Sequence, residues 1–245
     1  MRQADTSFDD TNYENAYPVN VNYHFWGRAR SHIVANAIKS SGLKDGNWLE
    51  VGCGTGMVVA ALRNLNIEVD GCEIAEVPPK LLLADDLMLG QDVFDLDEAT
   101  RKSYQGLLLL DVLEHLPNRS EFLDRLFEAF PNAETLIVTV PARHELWSNY
   151  DTFYGHYVRY SLADIRGTKS KWSLRSANYF FHSLYIPMFL LSKLRGKRNT
   201  SVVGPSTMFS RFIHWGLAQY CIVENVVVPG RVLGTSIIFS LTRPS

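Results

Sequence analysis

The feature that most constrains this chain is the nine-residue run Trp48–Gly56, which reads Trp-Leu-Glu-Val-Gly-Cys-Gly-Thr-Gly. An apolar lead-in meets three glycines at alternate positions, and a second apolar run follows from Met57 to Leu62. The pattern predicts a strand, a tight loop and a helix. Glycines let a backbone approach a ligand closely, and a helix N-terminus presents free N–H groups. We therefore expect an open α/β sheet with a ligand at this loop, the alternative being a glycine-rich turn without a ligand.

The glycine spacing separates two kinds of cofactor site. The dinucleotide fingerprint is G-x-G-x-x-G, whereas here the third glycine comes one residue early and Met57 takes its place. With an acidic residue two positions before the first glycine, the run resembles motif I of the class I S-adenosylmethionine-dependent methyltransferases. That resemblance implies S-adenosylmethionine as cofactor and assigns the following residues to its binding: Glu50, Gly52, Cys53, Gly54, Thr55 and Gly56.

Composition narrows the setting of such an enzyme. The net charge is −2, and the three cysteines form no C-x-x-C pair, so we expect neither a disulfide framework nor a metal site. The polar N-terminus does not resemble a secretory signal, and no apolar run reaches the ~18–20 residues of a membrane span. The sequence predicts one domain over residues 1–245, in the cytoplasm, with no nucleic-acid partner because it has no broad basic face.

Two further acidic residues fall near the ends of predicted strands. Strand 2 is predicted at Ile67–Glu73, where the carboxylate of Glu73 can accept hydrogen bonds from both ribose hydroxyls, with Ile74 beside it. A short helix is predicted at Lys80–Leu87 and strand 3 at Leu89–Phe94. In the family that this chain resembles, an acid at the position of Asp92, next to Val93, lies near the adenine. A simple turn aspartate is the alternative.

Strand 4 is predicted at Tyr104–Leu110, because four consecutive leucines suit a central parallel strand. The following Asp-Val-Leu-Glu-His-Leu, residues 111–116, resembles the post-strand-4 motif of the ubiquinone/menaquinone-biosynthesis-like methyltransferases. The resemblance implies that Asp111, Val112 and His115 flank the cofactor and face the acceptor. The alternative for His115 is a local capping role.

A long loop follows strand 5, which is predicted at Thr135–Val140. Residues 141–161 are crowded with His, Trp, Tyr, Asp and Arg, and long loops of this composition are usually functional. The loop resembles the acceptor-side loop of a bacterial methyltransferase subgroup, and a self-packed aromatic loop is the alternative. Our acceptor-binding candidates here are Trp147, Asp151, Tyr154, Arg159 and Tyr160. At its end, Ser161 and Asp164 form a predicted capping box for a helix.

The C-terminal third departs from a standard domain of this type. Strand 6 is predicted at Trp172–Phe181 and an antiparallel strand 7 at Thr235–Thr242, so residues 182–230 form a helical cap insertion. Its helices are predicted at Ser183–Leu194 and Thr207–Val223. Basic residues around 193–198 next to an apolar helix have the composition of a peripheral membrane contact, here through 183–198. Alternatively, the helices cover the sheet edge, and the basic residues complement a helix dipole.

The N-terminal residues 1–45 are predicted to be a lid. Residues 1–20 read as loop, and apolar residues at three- and four-residue steps predict a helix over His24–Lys39. In the subgroup that the chain resembles, such a segment covers the cofactor. We expect Trp26 and Arg30 to close the cleft, the alternative being an edge helix that serves stability only.

These patterns together predict a doubly wound, Rossmann-like sheet of seven strands, mostly parallel, with an antiparallel last strand. The resemblance implies in-line attack of an acceptor on the sulfonium methyl group, and a small-molecule or lipid-linked acceptor. An oxygen nucleophile needs a base, for which His156, His144 and His115 are the candidates. A nicotinamide-dependent oxidoreductase and a non-catalytic S-adenosylmethionine-binding subunit are the alternative functions. The sequence makes no prediction of oligomeric state.

Overall fold

The computed structural model describes residues 8, 10–43, 45–78, 86–194 and 199–244. Their centre is one seven-stranded sheet in the order β3-β2-β1-β4-β5-β7-β6. Strands β1 to β5 are parallel to one another, whereas β7 runs antiparallel to both of its neighbours, β5 and β6. The predicted fold class is thereby confirmed. The strands are β1 Trp48–Val51, β2 Val69–Glu73, β3 Leu87–Leu89, β4 Gly106–Leu110, β5 Thr135–Pro141, β6 Ser173–Phe180 and β7 Ser236–Thr242.

Helices cover both faces of the sheet. Their bounds are α1 Asp10–Ala16, α2 Phe25–Ser41, α3 Met57–Arg63, α4 Glu98–Ser103, α5 Arg119–Ala129, α6 Asn149–Phe153, α7 Leu162–Gly167, α8 Tyr185–Leu194 and α9 Met208–Val227. Helix α7 begins with the predicted capping box, in which the Ser161 hydroxyl accepts from the Asp164 N–H and the Asp164 carboxylate accepts from the Ser161 N–H. Two orphan donors of the first turn are satisfied in this way.

The core lies on the two faces of β4. Leu107 and Leu109 belong to a buried cluster that includes residues of α5, whereas Leu108 and Leu110 belong to a second cluster that includes residues of α2 and α9. A strand buried on both faces needs an unbroken apolar run, which explains the four leucines. The carboxyl end of β4 is therefore held rigidly from both sides.

Strand β3 differs from its prediction. It covers Leu87–Leu89 instead of Leu89–Phe94 because Gly90 takes a φ of +70°, which turns the chain out of the sheet. Asp92 then lies in a turn, where its carboxylate accepts from the Phe94 N–H at 3.0 Å. Most of the helix predicted at Lys80–Leu87 falls on residues 79–85, outside the described residues, and Leu87 itself belongs to the strand.

The N-terminal segment also differs from its prediction, because residues 10–16 form helix α1 within the predicted loop. Tertiary contacts outweigh its polar composition: Asn12 is buried and donates to the Phe153 carbonyl at 3.1 Å. Helix α2 is a core element whose buried residues include Ile33 and Ile38.

The insertion between β6 and β7 contains α8 and α9. Helix α9 packs against α2 and buries Ala218, Cys221 and Glu224. The Glu224 carboxylate accepts from the backbone N–H groups of His182 and Ser183 at 3.1 and 2.6 Å, which ties α9 to the end of β6. No helix in the described part of the chain has the length and apolarity to cross a membrane.

Candidate active site

One large cleft of about 1440 Å³ opens at the carboxyl ends of β1, β2 and β4. Parallel strands bring their carboxyl ends to one edge of the sheet, so the loops that follow them meet there. The predicted residues that line the cleft are Trp26, Arg30, Glu50, Gly52, Cys53, Gly54, Glu73, Ile74, Asp92, Val93, Asp111, Val112, His115, Tyr154, His156 and Arg159. Thr55 and Gly56 are buried behind the glycine loop and are not among its described lining residues.

The glycine loop needs glycines for two separate reasons. Gly52 and Gly54 take φ values of +77° and +54°, which lie in the left-handed region that L side chains rarely adopt. In addition, a Cβ atom at Gly52 would lie 2.7 Å from Cγ2 of Val112, on the neighbouring strand's loop. The loop is thus a close backbone approach between two strand ends.

Glu73 locks the loop to the end of β2. One carboxylate oxygen accepts from the Gly54 N–H at 2.8 Å, and the other accepts from the Ala75 N–H at 3.1 Å. A carboxylate offers about four lone pairs, so it can still accept hydrogen bonds from a ligand. The Tyr13 hydroxyl is also hydrogen-bonded to Glu73, and burial, followed by the charge of Glu73, raises the pKa of that tyrosine.

Glu50 lies in the same corner and is only partly satisfied. Its Oε2 atom is buried and has no hydrogen-bond partner among the described residues. Burial raises the pKa of Glu50 to about 8, against the opposing charge of Arg30. The Glu50 carboxyl group therefore changes its charge near neutral pH.

Arg30 and Asp111 form an ion pair across the cleft. The Arg30 guanidinium also lies 4.4 Å from the ring centroid of Trp26, in a cation–π arrangement. Asp111 has a φ of +60° directly after β4, and its carboxylate accepts from the Thr139 hydroxyl at 3.1 Å. The chain bends sharply here, which turns the residues that follow β4 into the cleft.

Asp151 organises the loop after β5 that was predicted to bind the acceptor. It is fully buried and accepts from Nε of Arg159 at 2.7 Å and from Nδ1 of His156 at 3.0 Å. Burial acts to raise its pKa, but these hydrogen bonds and the Arg159 charge hold the pKa of Asp151 at about 2. Because an ionised carboxylate only accepts, Nδ1 of His156 is the donor, and Nε2 of a neutral His156 keeps a lone pair.

His115 lies against His156, with ring centroids 4.8 Å apart and planes at 82°. Burial and the neighbouring His156 lower the pKa of His115 to about 4, although a hydrogen bond to the Tyr154 backbone acts to raise it. Its Nδ1 atom is buried without a hydrogen-bond partner in the described structure. Glu114, the residue before it, is buried, and burial followed by the charge of Asp111 raises its pKa well above the usual value.

Four of the predicted catalytic or acceptor-binding residues are not among the described residues that line the cleft. His144 is exposed and pairs through Nε2 with Asp164 at 2.9 Å, so the geometry gives no support to a catalytic role. Trp147 is also exposed and lies outside the described lining of the cleft. Tyr160 is buried with its hydroxyl donating to the Leu113 carbonyl, and Asp151 acts behind His156 instead of facing the cleft.

Sequence reasoning missed three parts of the cleft. Glu114 stands inside the recognised motif, yet only its burial beside two histidines marks it out. Tyr13 and Tyr17 come from the segment that was predicted as loop, and Tyr17 lies over the glycine loop. An apolar wall comes from the start of α8 and consists of Leu184, Pro187, Met188 and Leu191.

Comparison with known proteins places the chain in a family. The model of a family described as "Methyltransferase domain" matches residues 24–180, more than half of the chain. A search of curated protein sequences found no match.

Several solved structures share the fold. The methyltransferase domain of bacterial CtHen1 is 16% identical, with 88% of this chain and 98% of that chain covered at a TM-score of 0.51. Magnesium protoporphyrin IX methyltransferase from Synechocystis PCC 6803 with bound SAH is 16% identical, with 98% of this chain and 90% of that chain covered at a TM-score of 0.50. Coclaurine N-methyltransferase bound to N-methylheliamine and SAH is 12% identical, with 86% of this chain and 72% of that chain covered at a TM-score of 0.52. The chain belongs to the methyltransferase-domain family, whose methyl donor is S-adenosylmethionine.

Proposed function

We propose that this chain transfers the methyl group of S-adenosylmethionine to an amphipathic small-molecule or lipid-linked acceptor, by in-line attack on the sulfonium methyl. The observation that carries the proposal is the continuity of the cleft: one cavity joins the glycine loop, the His115–His156 pair and the apolar wall at the start of α8. At about 1440 Å³ it exceeds the ~300–1,000 Å³ typical of a pocket for one drug-sized ligand. It therefore has room for the cofactor and an acceptor together.

The cofactor end offers a distinct group to each part of the nucleoside. The Glu73 carboxylate is available to the ribose hydroxyls, and Asp92 and Val93 lie just past the end of β3, where we place the adenine. Arg30 and Asp111 provide one positive and one negative group, which complement the zwitterionic methionine portion. The sulfonium would then point towards His115 and His156.

Activation of the acceptor requires little beyond positioning, because the methyl donor is already charged. Holding both partners in line can supply roughly 7–11 kcal/mol of the barrier. For a hydroxyl acceptor, His156 is the best-placed base, since Asp151 fixes its ring and leaves Nε2 able to accept a proton. A positioned base contributes about 10²- to 10⁴-fold.

The exposed surface of α8 and α9 supports a membrane-associated acceptor. Met208, Phe209 and Phe212 are 81, 74 and 66% exposed, and Ile186 on α8 is 65% exposed. Exposed apolar and aromatic side chains along a helix are typical of an interfacial helix. We propose that this face rests on the membrane surface and that the apolar wall receives the acceptor's chain from there.

We also propose that the segment before α2 is a lid over the cofactor. Tyr13 is hydrogen-bonded to Glu73, and Tyr17 lies within 2.6 Å of the position of a Cβ at Gly54. Removing residues 1–17 leaves α2 whole and should weaken cofactor affinity about tenfold by calorimetry. Unchanged affinity would contradict the lid.

The test of the function uses paired acceptors. A purified chain is incubated with methyl-labelled S-adenosylmethionine and with phenols or catechols that either carry or lack an isoprenoid tail, in the presence of phospholipid vesicles. We expect methyl transfer, with kcat/KM at least tenfold higher for the tailed member of a pair. Cofactor binding without transfer to any acceptor would favour a non-catalytic subunit instead.

The membrane contact has its own test. The chain should cosediment with vesicles that contain anionic lipid, and the double variant Phe209→Ser, Phe212→Ser should lose most of that binding. Leu174→Ser, an exposed apolar residue on β6, serves as the matched control. Equal sedimentation of the double variant and the wild type would contradict the proposed surface.

A further inference from the structure

Three side chains at the acceptor end point their ligand atoms at one another. Glu114 and His115 belong to a single 3-10 turn after β4, and His156 comes from the loop after α6. One ligand atom from each residue lies within 4.8 Å of the other two. Two ligands of one zinc or magnesium ion are at most ~4.2 Å apart, twice the metal–ligand distance, so the three ligand atoms would have to move slightly closer together to coordinate one ion.

Two of these side chains each have a metal-ligating type of atom without a partner. Oε2 of Glu114 and Nδ1 of His115 are buried and make no hydrogen bond within the described structure. Glu114 is only 1% exposed, and burying an unpartnered carboxylate oxygen is costly. The two neighbouring arginines are already committed, Arg30 to Asp111 and Arg159 to Asp151. A cation between the three side chains would satisfy both orphan atoms.

The two histidines are oriented as metal ligands usually are. A ligating histidine typically donates its other ring N–H to a carboxylate or a backbone carbonyl. His156 donates through Nδ1 to Asp151, and the hydrogen bond of His115 goes to the Tyr154 backbone. Nε of Arg159 donates to the Asp151 carboxylate at 2.7 Å, so the residue that orients His156 is itself held in place.

We propose that Glu114, His115 and His156 bind one divalent transition-metal ion at the acceptor end of the cleft. Two imidazoles and one carboxylate favour zinc, cobalt, manganese or iron over magnesium or calcium, which prefer all-oxygen sites. Three protein ligands leave positions open towards the cleft, as catalytic metal sites do. The sequence spacing could not indicate this site, because His156 lies 41 residues beyond His115, the neighbour of Glu114.

The site deepens the proposed function, on which this step rests, by selecting oxygen acceptors. An acceptor hydroxyl or a pair of adjacent hydroxyls fills the open positions, and coordination lowers the hydroxyl pKa. The O–H bond breaks, the proton leaves to solvent, and the metal-held oxygen attacks the methyl carbon as the carbon–sulfur bond breaks. The products are the methyl ether, S-adenosylhomocysteine and one proton. His156 then holds the metal instead of accepting the proton.

Metal binding is tested without any acceptor. The tag-free full chain is stripped with a chelator, dialysed and titrated with Co²⁺, which is followed by visible absorption and by calorimetry. We expect one equivalent to bind with the absorption of nitrogen- and oxygen-coordinated cobalt, and at least a 100-fold loss of affinity in Glu114→Gln and in His156→Ala. His144→Ala, a histidine outside the cleft, should bind as the wild type does.

Cofactor affinity, measured on the same samples, shows that the variants are folded. No stoichiometric cobalt binding by the wild type, or wild-type affinity in both Glu114→Gln and His156→Ala, would overturn the site. The outcome is separable from the proposed function. Methyl transfer that survives the chelator in a chain that binds no cobalt refutes the metal alone, whereas cobalt binding without transfer to any acceptor refutes the function alone.

Discussion

The two ends of the cleft are built in opposite ways. At the cofactor end, both oxygens of Glu73 already accept backbone N–H groups, and the loop that it holds is formed before any ligand arrives. At the acceptor end, Glu114 and His115 keep buried polar atoms that no described residue satisfies. The glycine loop is therefore pre-formed by the chain itself, whereas the acceptor end is completed by what binds there.

The acceptor end depends on a buried ion pair, and breaking that pair should have the largest effect. Asp151→Asn leaves Arg159, which is 4% exposed, without its charged partner. Removing one member of a buried pair typically costs about 3–5 kcal/mol of unfolding free energy. Urea denaturation would measure the loss.

The matched control is the solvent-exposed pair of Lys102 and Glu98 on α4. Glu98→Gln should leave the urea midpoint almost unchanged, because exposed pairs contribute little. Similar midpoints for Asp151→Asn and the wild type would mean that the acceptor end is not held by its buried charges.

At the cofactor end, Glu73→Ala should nearly abolish ligand binding. The variant removes the acceptor proposed for both ribose hydroxyls and releases the Gly54 N–H. Hydrogen bonds to a charged group are worth about 1.5–3 kcal/mol each, so we expect at least 100-fold weaker binding of S-adenosylmethionine by calorimetry.

Glu68→Ala is the control for that experiment, because this glutamate is exposed and lies just before β2. It should bind the cofactor as the wild type does. If Glu73→Ala stayed within threefold of the wild type, the nucleoside would have to lie elsewhere in the cleft.

The glycine loop should show a smaller loss. Gly52→Ala forces a side chain into a φ of +77° and places its Cβ against Val112. The left-handed conformation alone costs roughly 1–2 kcal/mol, so cofactor affinity should fall about tenfold and the Tm should drop. Gly167→Ala is the control, because a Cβ there meets no atom within 4 Å. Equal effects of the two substitutions would show that the loop geometry does not matter.

The same contrast explains what could be predicted from the sequence. The glycine loop and Glu73 are about twenty residues apart and lie on adjacent strands, so local patterns were enough to bring them together. The seven strands with an antiparallel last strand, and the capping box of α7, were predicted from equally local signals. The exception on this side is β3, where Gly90 ended the strand earlier than its apolar residues indicated.

The side-chain positions in the acceptor loop, residues 141–161, could not be predicted from local sequence patterns. Its side chains have no period, and their directions depend on tertiary partners: His144 turns outward to Asp164, whereas His156 turns inward to Asp151. In the sequence, both histidines stand among aromatic and charged residues of the same loop, so no local signal separates them. Helix α1 was missed for the same reason, since its polar composition is outweighed by contacts such as that of Asn12 with Phe153.

Glu50 offers the finest test of the comparison, because its buried carboxylate at the cofactor end keeps one oxygen, Oε2, without a partner among the described residues. Its pKa is raised from about 4.5 to about 8 in the folded chain, so the fold favours the protonated form. The stability that this group contributes is complete below pH 4.5 and is lost as the pH rises towards 8. Glu50→Gln mimics the protonated form, so its Tm advantage over the wild type should grow between pH 5 and pH 8.

Repeating the Tm comparison with bound cofactor shows whether the cofactor satisfies Glu50. Glu68→Gln controls for the change in net charge, since that glutamate is exposed. If the cationic group of S-adenosylmethionine is the partner that Oε2 of Glu50 lacks, saturating cofactor should reduce the Tm advantage of Glu50→Gln at pH 8. An advantage that is unchanged by cofactor would mean that Oε2 stays unsatisfied in the complex, and that the cofactor does not complete this corner of the cleft.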